Sequence, residues 1–202
     1  MSRFGESSAG NACVALRIQL LGGFCVEVGD RVVADSAWRL QKARGLVKQL
    51  ALARGHRLGR EETMERLWPE AERDAALNNL YFAVRIARGA LDRHLPGKTG
   101  RCSVLQLSGG VLALSPTVSV TVDVDTFYAA ASAARLSDDP RAYNVALDLY
   151  AGELLPDDLY EDWAARRVKG CATCSCSCSR NWHNSTKGAE TTWRQLAASA
   201  GS

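Results

Sequence analysis

The chain has 202 residues, of which 47% are hydrophobic and 23% are charged. These are ordinary globular proportions, and they exclude a collagen-like, coiled-coil or wholly disordered chain. No stretch approaches the roughly 18 apolar residues of a membrane span. Residues 1–13, which we expect to be disordered, contain no apolar signal core. We therefore expect a cytoplasmic protein without a membrane partner.

Charge is distributed unevenly, although the net charge is only +3. Residues 38–101 contain 14 Lys and Arg against 7 Asp and Glu, whereas residues 116–168 contain 4 against 10. The opposite balances indicate two modules. A basic module of this size favours a polyanionic partner, nucleic acid first, although charge alone is equally compatible with a solvated helical surface.

The first part of the chain predicts a small sheet followed by three helices. Residues 14–34 alternate apolar and polar side chains around the turn Gly29-Asp30, which is typical of antiparallel strands. Helical spacing then follows in three segments, residues 39–53, 60–67 and 74–92. Asp74 is expected to cap the third helix.

A β-hairpin is predicted next, because Val-Leu-Gln-Leu at 104–107 and Val-Leu-Ala-Leu at 111–114 flank Ser-Gly-Gly. Sheet, three helices and hairpin are the layout of a winged helix-turn-helix. In that fold the third helix enters the major groove and the hairpin is the wing.

Residues 123–168 predict further helices, in three short segments at 125–135, 140–150 and 160–168. Paired short antiparallel helices are typical of helical repeats. One pair cannot bury its apolar face alone, so we expect a neighbour, a partner or self-association.

Two sets of motifs resemble a known family. The runs at 38–52, 56–58, 67–69 (Leu-Trp-Pro) and 76–80 (Ala-Leu-Asn-Asn-Leu) look like the OmpR/PhoB-type winged helix of SARP-like bacterial transcriptional activators. The runs at 122–127, 146–156 and 160–163 are similar to the start of the bacterial transcriptional activator domain that follows it, a tetratricopeptide-like array. The resemblance covers residues 14–168.

The resemblance implies an α+β winged helix over 14–116 and a truncated all-α, tetratricopeptide-like domain over 121–168. It implies sequence-specific binding to double-stranded DNA, contact with RNA polymerase and no cofactor. The alternative is a protein-interaction module that keeps the winged helix as a scaffold without specific DNA binding. Apolar Phe82 and Ile86 on the outer part of the third helix support that alternative.

On a helical wheel of the third helix, one set of side chains lies on the face opposite its apolar stripe or beside it. Asn reads adenine and Arg reads guanine through paired hydrogen bonds, and an aromatic ring can pack on a thymine methyl group. The residues predicted to read bases are Asn78, Asn79, Tyr81, Phe82, Arg85 and Arg88.

Structural roles for the same side chains stay open at this point. Asn78 or Asn79 can instead satisfy free amides of the first helical turn. Phe82 can cover the base of the wing, and Arg88 can pair with Asp92 four residues later.

Two further sets of residues are candidates for other contacts. Those for the DNA backbone are Lys42, Arg44, Lys98 and Arg101. The loop between the second and third helices, which can face polymerase in similar proteins, contains Trp68, Glu70, Glu72 and Arg73. Trp68 itself is better explained as a core side chain.

The composition changes abruptly after residue 168. Cys171, Cys174, Cys176 and Cys178 lie close together, with His183 nearby. The thiols are too crowded to copy a zinc ribbon, so we expect no metal. A shifted reading frame near Val168 explains the segment better, because the other frame can encode a Leu-rich helix. We expect residues 169–202 to be disordered, and the nucleotide sequence tests the frameshift.

The sequence does not predict an enzyme. It contains no Gly-rich phosphate loop, His-Glu-x-x-His motif or nucleophile elbow. Asp123 and Asp125 form a carboxylate pair two residues apart, but helix capping by Asp125 explains it more simply.

Overall fold

The computed structural model describes residues 14–95, 103–137, 139–159 and 161–199, and only the backbone of residues 184–199. Its strands and helices are, in chain order, β1 (Val14–Gln19), β2 (Cys25–Val28), β3 (Arg31–Val32), α1 (Gln41–Leu52), β4 (Arg57–Gly59), α2 (Arg60–Leu67), α3 (Arg73–Leu91), β5 (Leu105–Ser108), β6 (Val111–Leu114), β7 (Val118–Val122), α4 (Asp123–Ser137), α5 (Pro140–Asp148) and α6 (Asp162–Ser199). The order is that of a winged helix followed by a helical module.

The N-terminal sheet has the strand order β3-β2-β1-β7. As predicted, β1 and β2 are antiparallel, and Leu16 lies opposite Val28. The fourth strand, β7, was not predicted and runs parallel to β1. Because β7 leads directly into α4, the sheet joins the winged helix to the helical module.

The wing is a three-stranded sheet of order β4-β6-β5. The predicted hairpin forms its β5 and β6 pair, with Leu107 opposite Leu112. The third strand, β4, was not predicted and places Leu58 opposite Leu112. This pairing fixes the wing to the start of α2, where the Arg60 N–H donates to the Gly110 carbonyl at 2.8 Å.

The third helix buries its apolar stripe but is not capped as predicted. In α3, Leu80, Val84 and Leu91 are buried, whereas Leu77 is only half-buried. Asp74 does not cap this helix: the cap position is Glu72, whose side chain makes no capping hydrogen bond. Asp74 instead lies within the first turn, where a carboxylate favours the positive end of the helix dipole.

A carboxylate at the start of α4 ties this helix to the end of β1. Asp123 accepts the N–H groups of Leu20 at 2.9 Å, Leu21 at 2.8 Å and Val124 at 2.8 Å. The capping expected of Asp125 is not formed, because α4 already begins at Asp123 and Asp125 is exposed within its first turn. Asp123 therefore has a structural role, because it satisfies three main-chain donors.

Where disorder was expected after residue 168, the described part of the chain continues α6 to Ser199. Cys171 and Cys178, seven residues apart, are fully buried and serve as small apolar side chains. Burial raises the pKa of the Cys171 thiol to about 11. The exposed hydroxyls of Thr173 and Ser177 each donate to a carbonyl one turn earlier at 2.8 Å. The frameshift itself stays a hypothesis.

Neither a bilayer-spanning helix nor a metal cluster is found in the part of the chain that the structure describes. No helix there is long and apolar enough to cross a membrane. No three His, Cys, Asp or Glu side chains there are grouped to hold a metal ion.

The two modules share a buried junction. The ammonium of Lys48 on α1 forms an ion pair with Asp158, which precedes α6, and lies 5.0 Å from the Phe24 ring centroid. Close by, the main chains at Gly22 and Gly152 pack so tightly that a Cβ on Gly152 would lie 2.9 Å from the Gly22 Cα. Gly152 also has a φ of 153°, which favours glycine.

Candidate nucleic-acid interface

The outward face of α3 presents a continuous set of polar and aromatic side chains. The opposite face is buried in the core through a stripe rich in alanine, which lets α3 pack closely on α1. Because the two faces lie on one 19-residue helix, burying the stripe directs the other residues to solvent. The exposed members are Asn78, Asn79, Tyr81, Phe82 and Arg85.

Aromatic and cationic groups are stacked on this face. Tyr81 is 49% exposed and Phe82 is 47% exposed. The guanidinium carbon of Arg85 lies 5.0 Å from the Phe82 ring centroid, within the range of a cation–π contact. Within the described residues Arg85 makes no ion pair, so its charge is not neutralised by a neighbouring carboxylate.

The two asparagines lie in the second turn of α3 and have free amide groups. Neither side chain makes a hydrogen bond to any residue that the structure describes. The structure therefore does not show either asparagine bound to the amides of the first helical turn. Asn78 and Asn79 keep both donor and acceptor available to a ligand.

A groove of about 350 Å³ separates α3 from the tip of the wing. Its lining combines Tyr81, Arg85 and Arg88 of α3 with Arg60 and the wing turn at 107–110. Gly109 and Gly110 have φ values of 56° and 76°, which allow the tight turn at the tip. The groove is where the helix face and the wing meet.

Arg88 is placed differently from the other predicted base readers. It is half-buried, and its Nε donates to the carbonyl of Leu105 on β5 at 2.8 Å. The alternative pairing of Arg88 with Asp92 is not formed. Asp92 instead accepts from the Ser103 hydroxyl at 2.8 Å and the Val104 N–H at 2.9 Å. Both residues thus hold the wing against α3.

One carboxylate, that of Glu61, partly offsets the cations at the edge of the groove. Glu61 accepts from Arg60 at 2.8 Å and lies 3.7 Å from Arg73. The hydrogen bond raises the pKa of Arg60 and lowers that of Glu61. Arg60 is therefore charged but paired, which leaves Arg85 as the groove cation that contacts only a ring among the described residues.

The structure describes two of the four residues predicted to contact the DNA backbone. Lys42 is half-buried, and Arg44 is occupied by Asp35, whose carboxylate lies 3.0 Å from its guanidinium. Lys98 and Arg101 lie outside the described residues.

The predicted polymerase-facing loop lies between α2 and α3. Its Trp68 is half-buried against the core, as expected of a core side chain, while Glu70, Glu72 and Arg73 are exposed. Arg73 is the first residue of α3 rather than part of the loop.

Sequence reasoning missed Arg60 as part of the groove. Its position depends on β4, a three-residue strand whose pairing with β6 has no clear sequence pattern. On the wing side of the groove, the sequence predicted only the Gly-Gly turn of the hairpin.

The chain matches no protein-family model and no curated protein. The fold is similar to that of EmbR. This Mycobacterium tuberculosis protein was solved in complex with a low affinity phosphopeptide, and the TM-score is 0.63. The two chains are 19% identical over 82% of this chain. The chain spans 44% of EmbR, and at this identity the similarity shows a shared fold only.

Proposed function

We propose that the protein is a sequence-specific, double-stranded DNA-binding transcriptional regulator of the SARP-like activator type. The observation that carries the proposal is the outward face of α3, where unpaired amides and the guanidinium of Arg85 adjoin the wing groove. Such a helix face fits the major groove, and a wing beside it fits the adjacent backbone. EmbR, whose fold this chain shares, is a SARP-family regulator, which agrees with the proposal.

The geometry suggests a division of roles within this face. Asn78 and Asn79 are proposed to read adenine, Arg85 guanine, and Tyr81 and Phe82 thymine methyl groups. Arg88 is proposed to position the wing as well as to approach DNA, because its Nε is committed to β5. Phosphate contacts are assigned to Lys42, Lys98 and Arg101, with Arg44 in support.

The regions outside α3 and the wing are proposed to contact protein. The loop with exposed Glu70 and Glu72 is assigned to RNA polymerase, as the sequence resemblance implies. The helical module is assigned to activation or self-association. A cytoplasmic location follows from this function.

Selection of bound duplexes from a random pool tests the proposal. The full chain is used, because β7 lies beyond the predicted end of the winged helix at residue 116 and completes the sheet of β1. We expect enrichment of a single or directly repeated site, with binding that weakens as salt rises. Failure to enrich any sequence at low salt would contradict sequence-specific binding.

The scaffold alternative is favoured by the two half-exposed aromatic rings of Tyr81 and Phe82, because exposed aromatics are enriched at protein interfaces. In that case the chain binds no duplex at low salt. The DNA-binding proposal predicts duplex binding under the same conditions, so a single titration separates the two.

Replacing Arg85 with Ala is expected to reduce discrimination at one base position by about 1–3 kcal/mol. The reason is the loss of a paired hydrogen bond to a base edge, while phosphate contacts are kept. Repeating the duplex selection with the variant measures the change. Arg31→Ala on the exposed β3 is the control and should leave the profile unchanged. An unaltered profile for Arg85→Ala would remove this residue from the base-reading set.

A further inference from the structure

A cleft of about 520 Å³ lies where α1, β4 and α2 of the first module face the start of α6. Its volume is in the range of small-molecule sites. The cationic side chains in its lining are Arg54, Arg57, Arg66, Arg166 and Arg167. Only two carboxylates, Glu62 and Asp162, accompany them. The excess of positive charge favours an anion.

Three of these guanidinium groups are available to a ligand. Arg66 pairs with Glu62 at 2.5 Å, and Arg167 donates to the carbonyl of Leu52 across the module junction. The remaining three, on Arg54, Arg57 and Arg166, form no ion pair with any described residue. Planar guanidinium forks match phosphate oxygens and are the usual protein partners of phosphate groups.

An orphaned amide in the same lining points to a polar ligand. Gln49 is only 2% exposed, and neither its Nε2 nor its Oε1 has a hydrogen-bond partner among the residues that the structure describes. Buried amides in proteins are nearly always paired. Trp163 on α6 also lines the cleft and is half-buried, so it supplies a flat apolar surface beside this donor and acceptor.

We propose that the cleft binds a small phosphate ester of about mononucleotide size. The phosphate of this ligand lies among Arg54, Arg57 and Arg166. The group that it esterifies carries a polar ring, which contacts Gln49 and Trp163. DNA is the other source of phosphate, but the buried amide of Gln49 is out of reach of a duplex backbone. The site is independent of the outward face of α3. Because both modules contribute to the lining, occupancy stabilises their junction.

Calorimetric titration of the full chain with adenosine 5′-monophosphate, inorganic phosphate and adenosine tests this site. We expect saturable binding of the monophosphate with one site per chain, weaker binding of inorganic phosphate, and little binding of adenosine. Binding of adenosine as tight as that of the monophosphate, or no saturable binding of either phosphate compound, would overturn the proposal.

Two variants distinguish the site from general attraction to a basic surface. Arg166→Gln removes an exposed guanidinium and should weaken monophosphate binding about tenfold, whereas Arg141→Gln on α5, also exposed, should not. Gln49→Leu should weaken binding of the monophosphate more than that of inorganic phosphate. Equal losses in Arg166→Gln and Arg141→Gln contradict the site. If Arg166→Gln weakens duplex binding while neither phosphate compound binds, the phosphate belongs to DNA and the small-molecule site is wrong.

Discussion

Replacing Asp158 with Ala lowers the free energy of unfolding by about 3–5 kcal/mol, because it leaves a buried ammonium without its partner. Lys48 is 1% exposed and Asp158 is 8% exposed. The ring of Phe24, 5.0 Å from the ammonium, gives only part of the attraction that a carboxylate provides. The pair joins residues 110 positions apart, so its loss loosens the junction of the two modules.

Denaturant unfolding measures this effect, with two comparisons that separate burial from charge. Glu27→Ala breaks the exposed pair with Arg17 and should cost less than about 1 kcal/mol. Lys48→Met combined with Asp158→Leu replaces the buried pair with apolar groups and should recover most of the stability that Asp158→Ala loses. A loss in Asp158→Ala no larger than that in Glu27→Ala would show that the pair does not stabilise the junction.

Asp123→Ala is expected to cost at least about 3 kcal/mol, since it leaves three buried donors unpaired and each costs about 1–3 kcal/mol. Three main-chain N–H groups donate to this carboxylate, those of Leu20, Leu21 and Val124. Leu20 and Leu21 directly follow β1, so the substitution separates the sheet from α4. Loss of stability should therefore appear in both modules at once.

Asp125→Ala is the matched control, because Asp125 is exposed in the first turn of the same helix. Its loss removes only a favourable interaction with the helix dipole, about 0.3–1 kcal/mol. Hydrogen exchange at the amides of Leu20 and Leu21 gives a local measure, and exchange should accelerate in Asp123→Ala alone. Equal stability of the two variants would contradict the role assigned to Asp123.

The elements that were predictable are those with a repeating apolar pattern. The stripe that includes Leu80, Val84 and Leu91 defines α3, and two Val/Leu-rich runs around Ser-Gly-Gly define the β5–β6 hairpin. The short strands β4 and β7 were missed because their pairing depends on partners far along the chain. The tail after residue 168 was expected to be disordered because its composition changes abruptly. The burial of Cys171 and Cys178 along α6 depends on packing that composition alone does not show.

The candidate interface was only partly predictable for a related reason. A helical wheel at 100° per residue is enough to predict that Asn78, Phe82 and Arg85 share one exposed face. It cannot show that Arg88 donates to a carbonyl 17 residues later. Nor could it reveal the cation–π contact of Arg85, since that depends on side-chain rotamers. Their base-reading roles stay predictions.

Photo-crosslinking from Phe82 tests most directly whether the outward face of α3 contacts DNA. A photoreactive phenylalanine analogue replaces Phe82 in one protein and Leu136, which is 90% exposed on α4, in another. With a selected duplex, the account predicts crosslinks to bases from position 82 and none from position 136. Duplex binding with no crosslink from position 82 would contradict the account, because DNA would then lie against another surface.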